Sequence, residues 1–415
     1  NSALKAISLI PQTWESYLGG VDLGHNQIIN MWMQPLLISI SLISRLGISF
    51  SAFVKIIIAL QLIIGTIGLD KLLKRLEMSQ IAITVATIFY FTNTYFLTMV
   101  DGGLIFVTVV YSLFPLLLDQ GIEAFSNFKL QSLAKLCLLL IISQTFDIRV
   151  APLFFGCLII LKHTKRSMAT MLLIAMILLG WNMFWIWPAV KSQISLNFRY
   201  ANFSQVSQFS FSSVSHVLSF SQPHWFNNLF GDIQPVRWYL WLIPTLVVTS
   251  ILAKKPPKFF IALTLTGLFL AKGNQPPFGQ IYDWLYQSIP GFAVFRDPSK
   301  FLLLVCIGYA GLIAQTVGSR KIFGWLLVIY FLLVASPAIR GKMSGSFTLQ
   351  PLHSDYEKLT TLLEADSDFG RLLWVPVKPP LGPISDKKIW TESQALLNKF
   401  PFLNLVDGSY ELLNY

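Results

Sequence analysis

The sequence predicts an all-α polytopic membrane protein that leads into the start of an external α/β or mixed segment. Three observations carry that prediction. The 415 residues are 54% hydrophobic and 12% charged, with a mean hydropathy of +0.61, whereas a soluble domain carries about 25% charge. Long apolar runs recur along most of the chain. Every second connection between them is basic: Lys71, Lys74 and Arg75; Lys162, Lys165 and Arg166; Lys254, Lys255 and Lys258; Arg320 and Lys321. Basic residues beside membrane spans stay cytoplasmic, so the same pattern sets an orientation. The net charge of +11 sits at span ends, where topology and anionic lipid account for it. Nucleic acid is therefore not an expected partner. The three cysteines, Cys137, Cys157 and Cys306, lie in apolar runs without a CxxC pattern. They read as small buried hydrophobes.

Residues 1–51 read as an external loop, with turns at Gly19, Gly20 and Gly24. Within it, 34–46 is too short and too interrupted by Pro35 and Arg45 to cross a bilayer, which takes roughly 20 residues. It reads as an interfacial helix. Spans are expected at about 52–70, 80–98, 103–119, 132–146, 149–162, 168–188, 238–253, 258–272, 300–317 and 322–338. Ten crossings place the four basic connections, and a fifth carrying Lys129 beside Lys135, on one side. Segments 189–237 and 273–299 become external loops on the bundle of residues 52–338. The first is rich in Phe, Ser, Asn and Gln, including Phe209, Phe211, Trp225 and Phe226. Aromatic content of this kind suits a membrane interface. From 339 to 415 an external soluble domain begins, with a helix from about His353 and a strand over Arg371–Pro376. The chain opens at Asn1 without a signal-peptide pattern and stops at Tyr415 in mid-pattern. Both ends read as trimmed.

Candidate chemistry gathers on the external side. In Phe295-Arg296-Asp297-Pro298-Ser299-Lys300 two cations flank a helix start, with Asp297 or Ser299 as N-cap and Pro298 in the first turn. Such a start, with Arg296, Ser299 and Lys300, suits a phosphate. The plainer alternative is a span end anchored to lipid headgroups. Asp147 and Arg149 share a short connection. They either neutralise each other or face a substrate cavity. Asp101 reads as a turn residue. In the first segment, Glu15, Asp22 and His25 are candidates for activating a hydroxyl, against the alternative of a solvated loop. Trp14, Tyr17 and Trp32 either stack on sugar faces or form an interfacial belt. Walker-type, GxSxG and His-rich patterns are not seen. Mid-span acids of the kind that ion-coupled transporters carry are not seen either. Lys55, near an external end, is the one clear charge inside a predicted span.

The order of these parts resembles a known family. Gln34-Pro35-Leu36-Leu37, then Leu46-Gly47 and a span closing on Lys71, Lys74 and Arg75, resemble the first external loop and second span of GT-C glycosyltransferases. The strings Ile289-Pro290-Gly291-Phe292 and Phe295-Arg296-Asp297-Pro298-Ser299-Lys300-Phe301 resemble a motif of the YfhO-like and arabinofuranosyltransferase-type branch. The resemblance runs over most of residues 12–400 and implies a GT-C-like bundle of which the first span is missing here. It implies a sugar donor linked to polyprenyl phosphate and a glycan, lipid or protein acceptor outside the plasma membrane. Arg296, Lys300 and Ser299 would hold the donor phosphate. Asp147, Arg149, Asp297, His25 and Trp32 would line the substrate cavity. The family's catalytic acid lies just after the first span; Asp22, then Glu15, are the substitutes in this chain, unless the acid precedes Asn1. No cofactor is required by the pattern, and a divalent cation is left open. The competing functions are a flippase or transporter of lipid-linked glycan and a non-catalytic scaffold of envelope assembly.

Overall fold

The computed structural model describes residues 14–15, 25–26, 28–126, 129–160, 165–191, 206–207, 209–210, 212–220, 236–341 and 354–365. Among these the chain is helical apart from a two-residue antiparallel pair, β1 (Trp14–Glu15) with β2 (His25–Asn26). It divides into two units, one of residues 1–55, 184–196 and 344–415, the other of 56–183 and 197–343.

In the first unit, a 3₁₀ turn over Ile28–Met33 leads into α1 (Gln34–Arg45), with Pro35 in the first turn where a missing N–H costs nothing. Ile28 and Met31 form a small apolar cluster with Ala189, against which Phe184 and Trp185 pack. Further along the chain, Ser354–Ala365 is helical, as its sequence pattern predicts. The expected strand at 371–376 lies outside the described residues.

The second unit is the bundle. Each predicted apolar segment in it forms a helix. These are α2 (Phe50–Lys74), α3 (Gln80–Thr92), α4 (Thr94–Asp101), α5 (Ile105–Ser126), α6 (Leu130–Phe146), α7 (Val150–Ile159) and α8 (Lys165–Lys191). After the short α9 (Val214–Ser219) come α10 (Leu242–Ile251), α11 (Lys258–Ala271), α12 (Gly279–Ser288), α13 (Leu302–Val317) and α14 (Lys321–Val334). Helices α2 and α8 each begin or end in the first unit.

Four helical stretches are long and apolar enough to cross a membrane: Ser51–Lys74, Ile105–Ser126, Arg166–Lys191 and Pro298–Val317. A fifth is added if α3 and α4, bent by 40° at Asn93, form one broken span. The other apolar helices have 10–17 residues, about 15–26 Å at 1.5 Å per residue. That is below the hydrocarbon thickness of about 30 Å. Ten crossings therefore find support from length at four or five places only.

The core is α13, with 89% of its apolar window buried; the windows of α2 and α8 are 28% and 22% buried. Close approach explains this centre. Thr264 and Phe260 of α11 occupy the space that a side chain would need at Gly308 and Gly311 of α13, and Val305 does the same at Gly267. Small residues let helix backbones meet where lipid gives no hydrophobic drive. On another side of α13, Phe89 and Tyr309 pack with Phe220 and Phe331.

The predicted span 80–98 is interrupted by a specific residue. Asn93 is extended, and its Oδ1 caps α4 through Phe96 N at 3.0 Å. Its Nδ2 takes up the freed Tyr90 carbonyl at 2.6 Å and contacts the Tyr111 hydroxyl at 3.0 Å. One buried amide thus satisfies both broken helix ends.

The two ends of the bundle differ. Arg75, after α2, binds Asp119 at 2.7 Å and Glu123 at 3.3 Å, both near the end of α5. Ser79 donates to the Gly318 carbonyl, just before Arg320 and Lys321. Thr249, near the end of α10 and shortly before Lys254, meets Thr316 at 3.3 Å. Basic connections from three places in the sequence thus gather at one end. The start of α13 lies about 24 Å away along its 16 residues.

Candidate functional site

At that other end the chain gathers four charges, three buried and Arg149 half-buried. Asp297 caps the 3₁₀ turn Pro298–Phe301 that feeds α13, accepting from Ser299 N at 3.0 Å and from Ser299 Oγ at 2.6 Å. Its second oxygen pairs with Lys300 Nζ at 2.9 Å. Lys300 also reaches Met99 Sδ at 3.8 Å. Asp147, between α6 and α7, binds Arg149 through both oxygens at 2.8 and 2.7 Å and accepts the Arg149 N–H at 3.0 Å. Asp147, Asp297 and Lys300 are 6–7% exposed.

The two pairs are 150 residues apart in sequence, yet the Arg149 charge acts on both Asp297 and Lys300, and Asp147 acts on Lys300. Two cations and two carboxylates make the group neutral. Burial alone would raise the pKa of Asp297. Lys300, the Ser299 hydrogen bonds and Arg149 outweigh it and hold the carboxyl below its ordinary range. Burial likewise disfavours the Arg149 charge, but Asp147 reverses this and the net shift is upward. Both ionised forms are thereby secured.

Arg296 stands apart. It is exposed, makes no ion pair among the described residues, and lies 5.6 Å over the Phe209 ring. The Tyr282 hydroxyl donates to the carbonyl of Phe295, its neighbour, at 2.5 Å. Phe292, Phe295 and Phe301 cluster behind that contact. The aromatic residues of the motif are therefore a fastening that holds Arg296 at the mouth of the segment.

The sequence assigned Ser299, Lys300 and the helix start to an incoming phosphate. In the structure the anion at that helix start is the chain's own Asp297, which engages all three. Asp147 and Arg149 neutralise each other, one of the two arrangements open from sequence, and they do so beside Asp297. Asp101 is buried at the end of α4. The β1–β2 register sets Glu15 opposite His25, and Trp32 is half-buried on the 3₁₀ turn of the first unit. Asp22 lies outside the described residues, as do Phe211, Trp225 and Phe226.

Sequence reasoning missed Lys272. It is buried after α11, with Nζ on the Gln275 carbonyl at 2.7 Å and 5.0 Å over the Phe269 ring. Burial lowers its pKa, against the pull of Asp283. A lysine directly after a span looks like a headgroup anchor, so no sequence signal separates the two roles. Among the described residues, no three His, Cys, Asp or Glu side chains group as a metal site would require.

Fold and site together define, among the described residues, a mainly helical protein with several helices long and apolar enough to cross a membrane and a neutral, largely buried charge cluster at one end. Compared with known protein families, with characterised proteins and with solved structures, the chain matches none.

Proposed function

We propose that the protein is a multi-pass membrane glycosyltransferase of GT-C type. It transfers a sugar from a polyprenyl-phosphate donor to a glycan, lipid or protein acceptor outside the plasma membrane. The observation that carries this reading is Arg296, an exposed guanidinium without an ion pair among the described residues, held at a fixed place where the chain enters its most buried span. An arginine so placed is suited to a phosphate at headgroup depth. It would also stabilise the leaving charge. The buried quartet backs it by fixing the turn on which it stands. The gathering of basic connections at the opposite end supports an orientation with Arg296 outside. Asp22 and Glu15 stay as proposed acids for the acceptor hydroxyl.

The test uses full-length protein in native membranes, supplied with polyprenyl-phosphate sugars and an extracted envelope acceptor. Wild type is expected to transfer sugar. Arg296→Ala is expected to lose about a hundredfold or more in rate, as when one transition-state donor is removed. Transfer unaffected by Arg296→Ala would contradict the assigned role.

A second reading, a non-catalytic scaffold of envelope assembly, is favoured by the internal neutrality of the quartet, since charges that cancel suit a structural anchor. No transfer from any donor by stably inserted wild type would select it.

A further inference from the structure

Helix α12 lies in the segment that leads to Arg296, and the sequence shows only its amphipathic pattern. Asp283 and Tyr286 are three residues apart and share one face of it. The Tyr282–Phe295 hydrogen bond at 2.5 Å ties the helix to the turn that carries Arg296. The charge of Arg296 reaches the Tyr286 phenol, and that of Lys272 reaches Asp283.

Two atoms on this face lack a hydrogen bond among the described residues. Neither Asp283 Oδ1 nor the Tyr286 hydroxyl, both buried, makes one there, while Asn274 hydrogen-bonds to the Asp283 carboxyl. An unsatisfied buried polar atom costs about 1–3 kcal/mol, and in native structures such atoms call for an explanation. Loose packing is not one here, because the flanking segment is closely bonded. Lys272 binds the Gln275 carbonyl at 2.7 Å, and Asn274 Nδ2 binds Ser207 Oγ at 3.1 Å. Asn274 N binds Ser210 Oγ at 3.3 Å, and the Gln275 amide donates to the Ser210 carbonyl. The unpaired atoms therefore stand out in an ordered shell.

Their chemistry is specific. A carboxylate oxygen accepts from a hydroxyl, a phenol donates or accepts, and the adjacent guanidinium takes an anion. We propose that the Asp283–Tyr286 face of α12, beside Arg296, binds the hydroxyls of a phosphate-linked sugar. This rests on the glycosyltransferase reading for the choice of ligand. Arg296 takes the phosphate, which every donor shares, and Asp283 and Tyr286 read the sugar.

The experiment measures equilibrium binding to full-length protein in nanodiscs. The probes are polyprenyl-phosphate arabinose, mannose, glucose and galactose, with bare polyprenyl phosphate as reference. Wild type is expected to bind at least one sugar form more tightly than the bare lipid. Tyr286→Phe and Asp283→Asn should each weaken that form about tenfold, the value of one hydrogen bond of about 1.4 kcal/mol, and leave bare polyprenyl phosphate unchanged. Arg296→Ala should weaken all the lipids. Sugar forms bound by both α12 variants as by wild type, with Arg296→Ala still defective, would overturn the proposal and leave the donor-phosphate reading intact. Binding of sugar forms no tighter than the bare lipid would also overturn it. No binding of any lipid by wild type would overturn both. A thermal midpoint within wild-type range for each variant separates lost contacts from lost structure.

Discussion

Two polar groups lie on either side of the Arg296–Asp297 peptide, and they differ in one respect. Asp147 pairs with Arg149 and Asp297 with Lys300, and all but the half-buried Arg149 are buried. Among the described residues, Asp283 Oδ1 and the Tyr286 hydroxyl make no hydrogen bond and Arg296 no ion pair. A closed network specifies a structure; an open one waits for a partner. Two adjacent residues of one motif, Arg296 and Asp297, thus belong to different tasks, ligand and fold.

The largest expected effect breaks the closed group. Lys300→Met leaves Asp297 buried without its cation and should cost about 3–5 kcal/mol, read as reduced stability to denaturant in detergent micelles. Adding Asp297→Leu should recover much of that loss, because a buried pair replaced by apolar groups is often neutral. A double variant as unstable as the single one would refute the ion-pair explanation.

Next in size is the glycine contact beneath it. Gly311→Leu drives a side chain into the Phe260 ring and should destabilise by about 1–3 kcal/mol. Gly180→Ala, in open space on α8, should be tolerated or slightly stabilising. Equal effects at the two sites in a melting assay would dissolve the distinction between core and lipid face.

The open group predicts small effects of opposite sign. Burial raises the pKa of Asp283, with Asn274 and Lys272 pulling it back. The folded state then binds this proton more tightly than the unfolded one. Stability from Asp283 is therefore fullest below the unfolded carboxylate pKa of about 3.9 and falls as pH rises through the folded value. At neutral pH Asp283→Asn should leave stability unchanged or raise it by less than about 1 kcal/mol, and should flatten that part of the pH profile. Tyr286→Phe removes a buried hydroxyl that makes no hydrogen bond among the described residues and should raise stability by about 1 kcal/mol. A large loss in either variant, measured by thermal melting without ligand, would mean that these atoms are bonded after all.

The sequence made some of this arrangement legible. Asp297 as N-cap and Pro298 in the first turn follow from local backbone chemistry, and the structure has both. So does the Asp147–Arg149 pair, which needs only two residues of separation. The helix positions follow from apolar runs, because a backbone inside lipid must bond to itself. The break at Asn93 was hidden because a polar residue among apolar ones looks like a blemish; only the partners Tyr90 and Tyr111 show that it ends one helix and starts another. The union of the two ion pairs was hidden because packing, not spacing, joins positions 147 and 297. The open face was hidden most deeply. What marks Asp283 and Tyr286 is a missing hydrogen bond, and composition has no trace of that.

The most direct test pairs stability with ligand binding in two variants of the one motif, Lys300→Met and Arg296→Gln, each beside wild type in nanodiscs. The account predicts that Lys300→Met loses several kcal/mol of stability, while Arg296→Gln melts as wild type and loses affinity for polyprenyl-phosphate lipids about tenfold or more. A stable Lys300→Met protein, or an Arg296→Gln protein that still binds the lipids at full strength, would contradict it.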